Sequence, residues 1–262
     1  MDSVPPATVE TLVEGVWREG EVDLILNESS RIKADPWLDQ EIERVWQCAL
    51  AEAGRQNRLL FPGPLCRLER YAVEGGHLRL RTGLTDYREF LGTNRNLAAL
   101  SGFFGETSCA DYLADPLAVC TVLTTADDAL LIARRTGRTM EHSGFWHVVG
   151  GHVEPARPVN VFESVRKELR EELGVSTEEI PEMICLGLAR AKETHKPELL
   201  FYSRLSVTWE DLRQRPNDGE LDGHRLIPDS REHLHRFLTE EQNRVVPIGE
   251  ACLLRYERFR WK

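Results

Sequence analysis

Lysine is scarce in this chain: among 262 residues it occurs only at Lys33, Lys167, Lys192, Lys196 and Lys262, and the other basic residues are arginine. Positive charge is short overall. Asp and Glu number 43 against 33 Lys and Arg, for a formal net charge of −10. Nucleic-acid backbones are bound by Lys and Arg that neutralise phosphates, so the acidic balance argues against a nucleic-acid partner. It leaves room for a small anionic substrate held through a divalent cation. No apolar run approaches the ~20 residues of a membrane-spanning helix, so no membrane partner is expected. The opening MDSVPPATVETLVEGVW carries acids and no basic n-region, which argues against a secretory signal.

Close cysteine pairs are also missing. Cys48, Cys66, Cys109, Cys120, Cys185 and Cys252 are widely and irregularly spaced, with no CxxC. That excludes a zinc knuckle or dithiol redox motif. A chain of this length has no need of disulfide staples. Free thiols in a reducing, cytoplasmic compartment are therefore expected. The histidines of the central segment, His142, His147 and His152, have no metal-ligand spacing.

What is present is an ordinary globular composition, 41% apolar and 29% charged. The length allows one large domain or two modest ones. Strands are expected at 22–26, 65–73 and 77–81, the last two joined by Glu74-Gly75-Gly76 as a hairpin. Asp35-Pro36 is a helix start, and a helix is expected over 37–55. A short helix follows within 84–94, closed at Gly92. Asp115-Pro116 marks a boundary. Beyond it, strands are expected at 117–124, 129–134, 145–149, 183–191 and 199–207, with helices at 161–174 and 247–259. The class is α/β or α+β, with an N-terminal α+β extension over 1–114 and a main domain over 115–262.

The chemistry is concentrated in WHVVGGHVEPARPVNVFESVRKELREELGVS, residues 146–176. On a helix, Phe162, Val165, Leu169 and Leu173 share one face. Glu168, Glu171 and Glu172 crowd an adjacent face, three and four residues apart. Each such like-charge pair costs an isolated helix roughly 0.2–0.5 kcal/mol. A divalent cation offsets that cost, and Mg²⁺ favours carboxylates together with phosphate oxygens. Arg166, Lys167 and Arg170 would also explain the acids as a plain solvated face. The context separates the two readings. Gly150-Gly151, after an apolar strand and before the helix, permits close backbone approach to a ligand or metal.

This segment resembles the Nudix hydrolase signature G-x5-E-x7-R-E-U-x-E-E-x-G-U, with Gly151 at its start and KELREELGV, residues 167–175, at its end. Lys167 stands where the signature has Arg. The middle Glu is absent, with Arg157 at its register. The resemblance implies a Nudix fold, a mixed-sheet α/β/α sandwich. It also implies Mg²⁺, with Mn²⁺ as substitute, held by Glu168, Glu171, Glu172 and the Gly151 carbonyl, with Lys167 beside them. Glu171 or Glu172 is the expected general base. A further acid from a later strand or loop is expected at Glu193 or Glu198.

The flanks LTDYREFLGTN and YLADPLAVCTVLTTADD resemble the UDP-sugar diphosphatase branch of that family. The implied reaction takes UDP-glucose or UDP-galactose, plus water, to UMP and the sugar 1-phosphate. Its partner is thus a small nucleotide sugar. ADP-ribose, a nucleoside triphosphate, a dinucleotide, or silent nucleotide-sugar binding are the alternatives. Tyr87 is a candidate for stacking on the base, with Phe90 making a core stripe the competing reading. Arg88 and Asn94 are candidates for phosphate or base edges. Adjacent Arg134 and Arg135 face opposite sides of a strand, and Arg134 is favoured as the phosphate ligand.

Overall fold

Strands and helices are mixed along the chain, as the sequence predicts for this class. The computed structural model describes residues 7–136, 142–215 and 221–262. In order, the elements are β1 (Val9–Trp17), β2 (Val22–Leu26), α1 (Pro36–Arg55), β3 (Pro64–Glu74), β4 (His77–Asp86), α2 (Tyr87–Gly92), α3 (Leu97–Phe104), β5 (Ala118–Thr124) and β6 (Ala129–Arg135). There follow β7 (Trp146–His147), β8 (Val149–His152), α4 (Val161–Leu173), β9 (Glu182–Ala191), β10 (Pro197–Arg204), α5 (Trp209–Leu212), β11 (Leu221–Pro228), α6 (Arg231–Glu240) and α7 (Pro247–Arg260).

The large sheet runs β1-β9-β10-β5-β6-β11, mostly antiparallel, with β10 and β5 parallel. Alternation along its strands assigns the two faces. Val119, Leu123 and Leu131 point to one side and meet Phe162, Val165, Leu169 and Leu173 of α4. All four stripe residues of α4 are buried, each contributing roughly 1.5–3 kcal/mol of apolar burial. Cys120, Val122, Leu130 and Ile132 point to the other side and meet Leu234 and Phe237 of α6 and Cys252 and Tyr256 of α7. Helices on both faces of a mixed sheet are the expected layered architecture.

The small sheet β2-β4-β3 closes the α4 side, with Leu78 and Leu80 in the same core as α4. It is stitched to the large sheet by backbone hydrogen bonds from Cys66 N to Val153 O at 2.8 Å and from Leu117 N to Cys66 O at 2.8 Å. Asp35 caps α1 by accepting from Trp37 N at 2.9 Å, with Pro36 leading the helix as expected. Gly92 ends α2 but has a second role. A Cβ there would lie 2.6 Å from Ile42 Cγ1, so the glycine lets α1 sit directly on α2.

The expected single strand at 145–149 is two short ones. β5 and β6 pair only at Leu123 with Leu131 and Thr124 with Leu130, then diverge. β7 pairs with β6 and β8 pairs with β5, so the two short strands fill the fork. Gly150 is required there: a Cβ would stand 2.4 Å from the Val119 carbonyl oxygen and 2.9 Å from Cys120 Cα. Both are main-chain atoms of β5 and cannot yield cheaply. Gly150→Ala is expected to destabilise the fold by about 1–3 kcal/mol through overpacking. A urea unfolding curve should show a lower midpoint, and an unchanged midpoint would contradict this close packing.

Candidate active site

A cleft of about 480 Å³ lies beside the two short strands, walled by β8, α4, the start of β10 and the segment ahead of β3. Each wall follows from the local fold. The strand β8 brings Gly150, Gly151 and His152, and Glu154 follows it. The helix α4 lies across β8 because its apolar stripe is buried on the sheet, and this turns Lys167, Glu168 and Glu171 into the cleft. Asn160 caps α4 by accepting from Phe162 N at 2.8 Å. Gly174, at φ 64°, ends the helix in the left-handed conformation.

The contact between strand and helix is tight. A Cβ on Gly151 would lie 2.3 Å from Glu168 Cδ, so the carboxylate of Glu168 occupies the place a side chain would take. Lys167 reaches Glu154 at 2.8 Å and Glu171 at 3.8 Å. Burial alone would pull its ammonium downward. The Glu154 hydrogen bond and the charges of Glu154, Glu171 and Glu168 outweigh burial and hold the pKa above the usual lysine value. Lys167 therefore remains charged and orients carboxylates, as a less rigid counterpart of an arginine fork.

Most of the residues singled out from the sequence come together, and some do not. Gly151, Lys167, Glu168, Glu171, Tyr87 and Glu198 all line the cleft. Glu172 is buried behind that lining, 4% exposed. Glu198 is 3% exposed and pairs with Lys196 at 3.1 Å. Glu193 is exposed in the turn between β9 and β10 and does not line the cleft. Arg88 turns to α1, where it meets Glu43 at 3.4 Å. Asn94 is fully buried. Its amide donates to Asp115 Oδ1 at 2.9 Å and Thr194 O at 2.8 Å, and its oxygen accepts from Asp115 N at 3.0 Å. It ties the boundary segment to the turn ahead of β10 and has no amide group left for a ligand.

The arginine choice is reversed. Arg134 follows Leu130 and Ile132 on the α6–α7 face and is exposed, whereas Arg135 follows Leu131 to the α4 face and lines the cleft. The period of two in β6 makes the two choices exclusive. Also unanticipated are Lys196, His147 and the segment Leu59, Leu60 and Phe61, all on the cleft wall. The apolar run LLFPG was a usable signal for the last of these.

Among the described residues, no three carboxylate, imidazole or thiol side chains are already drawn together as a metal cage. Mg²⁺ does not need one. It keeps several waters and takes one or two carboxylates plus phosphate oxygens. The hard oxygen donors of Glu168 and Glu171, beside a glycine whose missing side chain admits close approach, fit that ion. Arg135, Lys196 and Lys167 in the same cleft suit the phosphates of a substrate.

Comparison with known proteins agrees with this geometry. A NUDIX domain model matches residues 114–247. The chain is 31% identical to the uridine diphosphate glucose pyrophosphatase NUDT22 of Bos taurus, covering 91% of this chain and 86% of that one. The Homo sapiens protein of the same name is 30% identical, over 85% of this chain and 82% of its own length. Nudix hydrolase 9 of Arabidopsis thaliana is 26% identical, over 72% of this chain and 70% of its own. A cleft built from the Gly-Gly strand and the KELREEL helix, a domain match across that segment and relatives aligned along most of both chains have one reading: the chain belongs to the Nudix hydrolase family.

Proposed function

We propose that the chain hydrolyses the diphosphate of a nucleotide sugar, with UDP-glucose or UDP-galactose as substrate and Mg²⁺ as cation, yielding UMP and the sugar 1-phosphate. The observation that carries this reading is the charge pattern of one cleft: carboxylates on α4 for a cation, with Arg135, Lys167 and Lys196 for phosphates. The names of the bovine and human relatives support the substrate class. A cytoplasmic setting suits the six free thiols.

Glu168, Glu171 and the Gly151 carbonyl would hold Mg²⁺. When bound, the ion supplies charge stabilisation on the phosphoryl oxygens. The chain's own residues do the positioning. Glu154 and Glu171 are kept in register by Lys167. Arg135 and Lys196 bind phosphate oxygens and disfavour retreat of the diphosphate to water. The attacking water must lose a proton, and Glu168 and Glu171 would be engaged in holding the cation. Glu198, the buried cleft carboxylate held by Lys196, accepts it. Residues 1–114 select the substrate, since Leu59, Leu60, Phe61 and Tyr87 come to the cleft from that region.

Purified protein incubated with UDP-glucose and Mg²⁺ should release UMP, with EDTA abolishing turnover and added Mg²⁺ restoring it. Glu198→Gln should lower kcat by roughly 10²–10⁴-fold with KM little changed. Preference for ADP-ribose over UDP-glucose, or no UMP at all, would overturn the substrate assignment.

Gly151→Ala separates site from fold. Its Cβ meets the end of the Glu168 side chain, which can swing away, and its three nearest neighbours are all atoms of that carboxylate. Thermal unfolding should therefore stay near wild type while activity at low Mg²⁺ falls at least tenfold and partly recovers at high Mg²⁺. Equal Mg²⁺ dependence in the two proteins would contradict the role given to Glu168.

A further inference from the structure

The cleft has a polar floor and one apolar lip. The lip is the segment between α1 and β3. Leu60 is its anchor, packing on the buried cluster of Trp46, Phe90, Leu91 and Ala114. Its two neighbours turn the other way: Leu59 is 98% exposed and Phe61 72% exposed, yet both line the cleft. An isolated apolar side chain at a surface needs no explanation, but two flanking a half-buried anchor at the mouth of a charged site form a built edge.

The Phe61 ring is held in place by its own turn. Gly63 N donates to Phe61 O at 2.9 Å, and a Cβ on Gly63 would meet Phe61 Cε2 at 3.1 Å, so the ring folds back over the glycine. The Gly63 carbonyl in turn accepts from Tyr87 N at 3.1 Å. Tyr87 also lines the cleft, its ring edge-on to His152 with centroids 6.1 Å apart. The lip is thus tied by its backbone to the start of α2, and two aromatic side chains border the same opening.

Building on the diphosphate-hydrolase reading above, we infer that the 59–63 lip is the nucleobase wall of the site, with Phe61 stacking on the base of the bound nucleotide. The alternatives within the substrate fit poorly. A hexose carries hydroxyls around its ring and requires polar partners, which the lip's side chains do not offer. The diphosphate belongs with Arg135, Lys167 and Lys196. A planar base has two π faces that bind aromatic side chains, and such stacking tolerates different bases because it reads no hydrogen-bond edge. Leu59 adds apolar cover, and the exposed Phe61 ring gains burial only when a ligand is present.

The two product halves provide the test, because one carries the base and the other the sugar. UMP and glucose 1-phosphate are titrated separately, by calorimetry, into wild type, Phe61→Ala, Phe61→Leu and Phe61→Trp. Phe61 is exposed, so the substitutions leave the fold intact, and matched thermal unfolding verifies this. The expected result is UMP affinity weakened about tenfold in Phe61→Ala, an aromatic stacking loss. Phe61→Leu should fall nearly as far and Phe61→Trp should restore binding, while glucose 1-phosphate affinity stays constant. Loss confined to glucose 1-phosphate would move the lip to the sugar and overturn the inference, as would UMP affinity indifferent to Phe61. Wild-type turnover of UDP-glucose is scored separately. If the wild type hydrolyses it and Phe61 leaves UMP binding unchanged, only the lip assignment falls. If it does not hydrolyse it but UMP binding follows Phe61, only the substrate assignment falls.

Discussion

The carboxylate of Glu168 sits where Gly151 would carry a side chain. The rest of the site depends on this contact. It seats the Glu168 carboxylate against β8, on the same helix as Lys167 and Glu171. The contact is possible because of two adjacent glycines with different duties. Gly150 makes room for the main chain of β5, and Gly151 makes room for an acid from α4. Burial of Phe162, Val165, Leu169 and Leu173 drives the helix onto the sheet, and the glutamates are carried to the cleft as a consequence. The apolar stripe supplies the energy of placement, and the acidic stripe is positioned for the proposed chemistry.

Placement of the positive groups follows the same logic. Lysine is rare in the chain, yet two of its five lysines, Lys167 and Lys196, border this cleft. Each is paired with a glutamate, Lys167 with Glu154 and Lys196 with Glu198. A cleft with alternating acids and bases can accept both a cation and an anionic diphosphate without assembling a large excess of either sign. The overall acidity of the protein is therefore compatible with a phosphate substrate.

Much of this was legible before any coordinates. The 3.6-residue stripe and the glycine at 174 define α4, and Asp35-Pro36 defines the start of α1. The strands at 22–26 and 117–124, and the hairpin around Gly75-Gly76, rest on local pattern alone. What escaped depends on pairings between distant residues. β1 is an edge strand with acids among its apolar residues, and its partner β9 lies far along the chain. The choice of Arg135 over Arg134 turns on which face of the sheet receives α4, and a strand's own sequence does not state that. Asn94 reads as a candidate for phosphate or base edges, but its amide is consumed by Asp115 and Thr194 within the fold. Glu193 and Glu198 are close in sequence, yet one lies in an exposed turn and the other at the start of β10 facing the cleft. The splitting of 145–149 into β7 and β8 reflects the divergence of β5 from β6, again a tertiary cause.

The central claim is that Glu168, seated on Gly151, and Glu171 beside it form the cation site at which a nucleotide diphosphate is bound. The most direct measurement is an anomalous difference map from crystals grown with Mn²⁺ and UMP. The account predicts a manganese peak beside the carboxylates of Glu168 and Glu171, with a phosphate oxygen of UMP within reach of it. A peak away from α4, or UMP bound in the cleft with no metal beside those two glutamates, would contradict it.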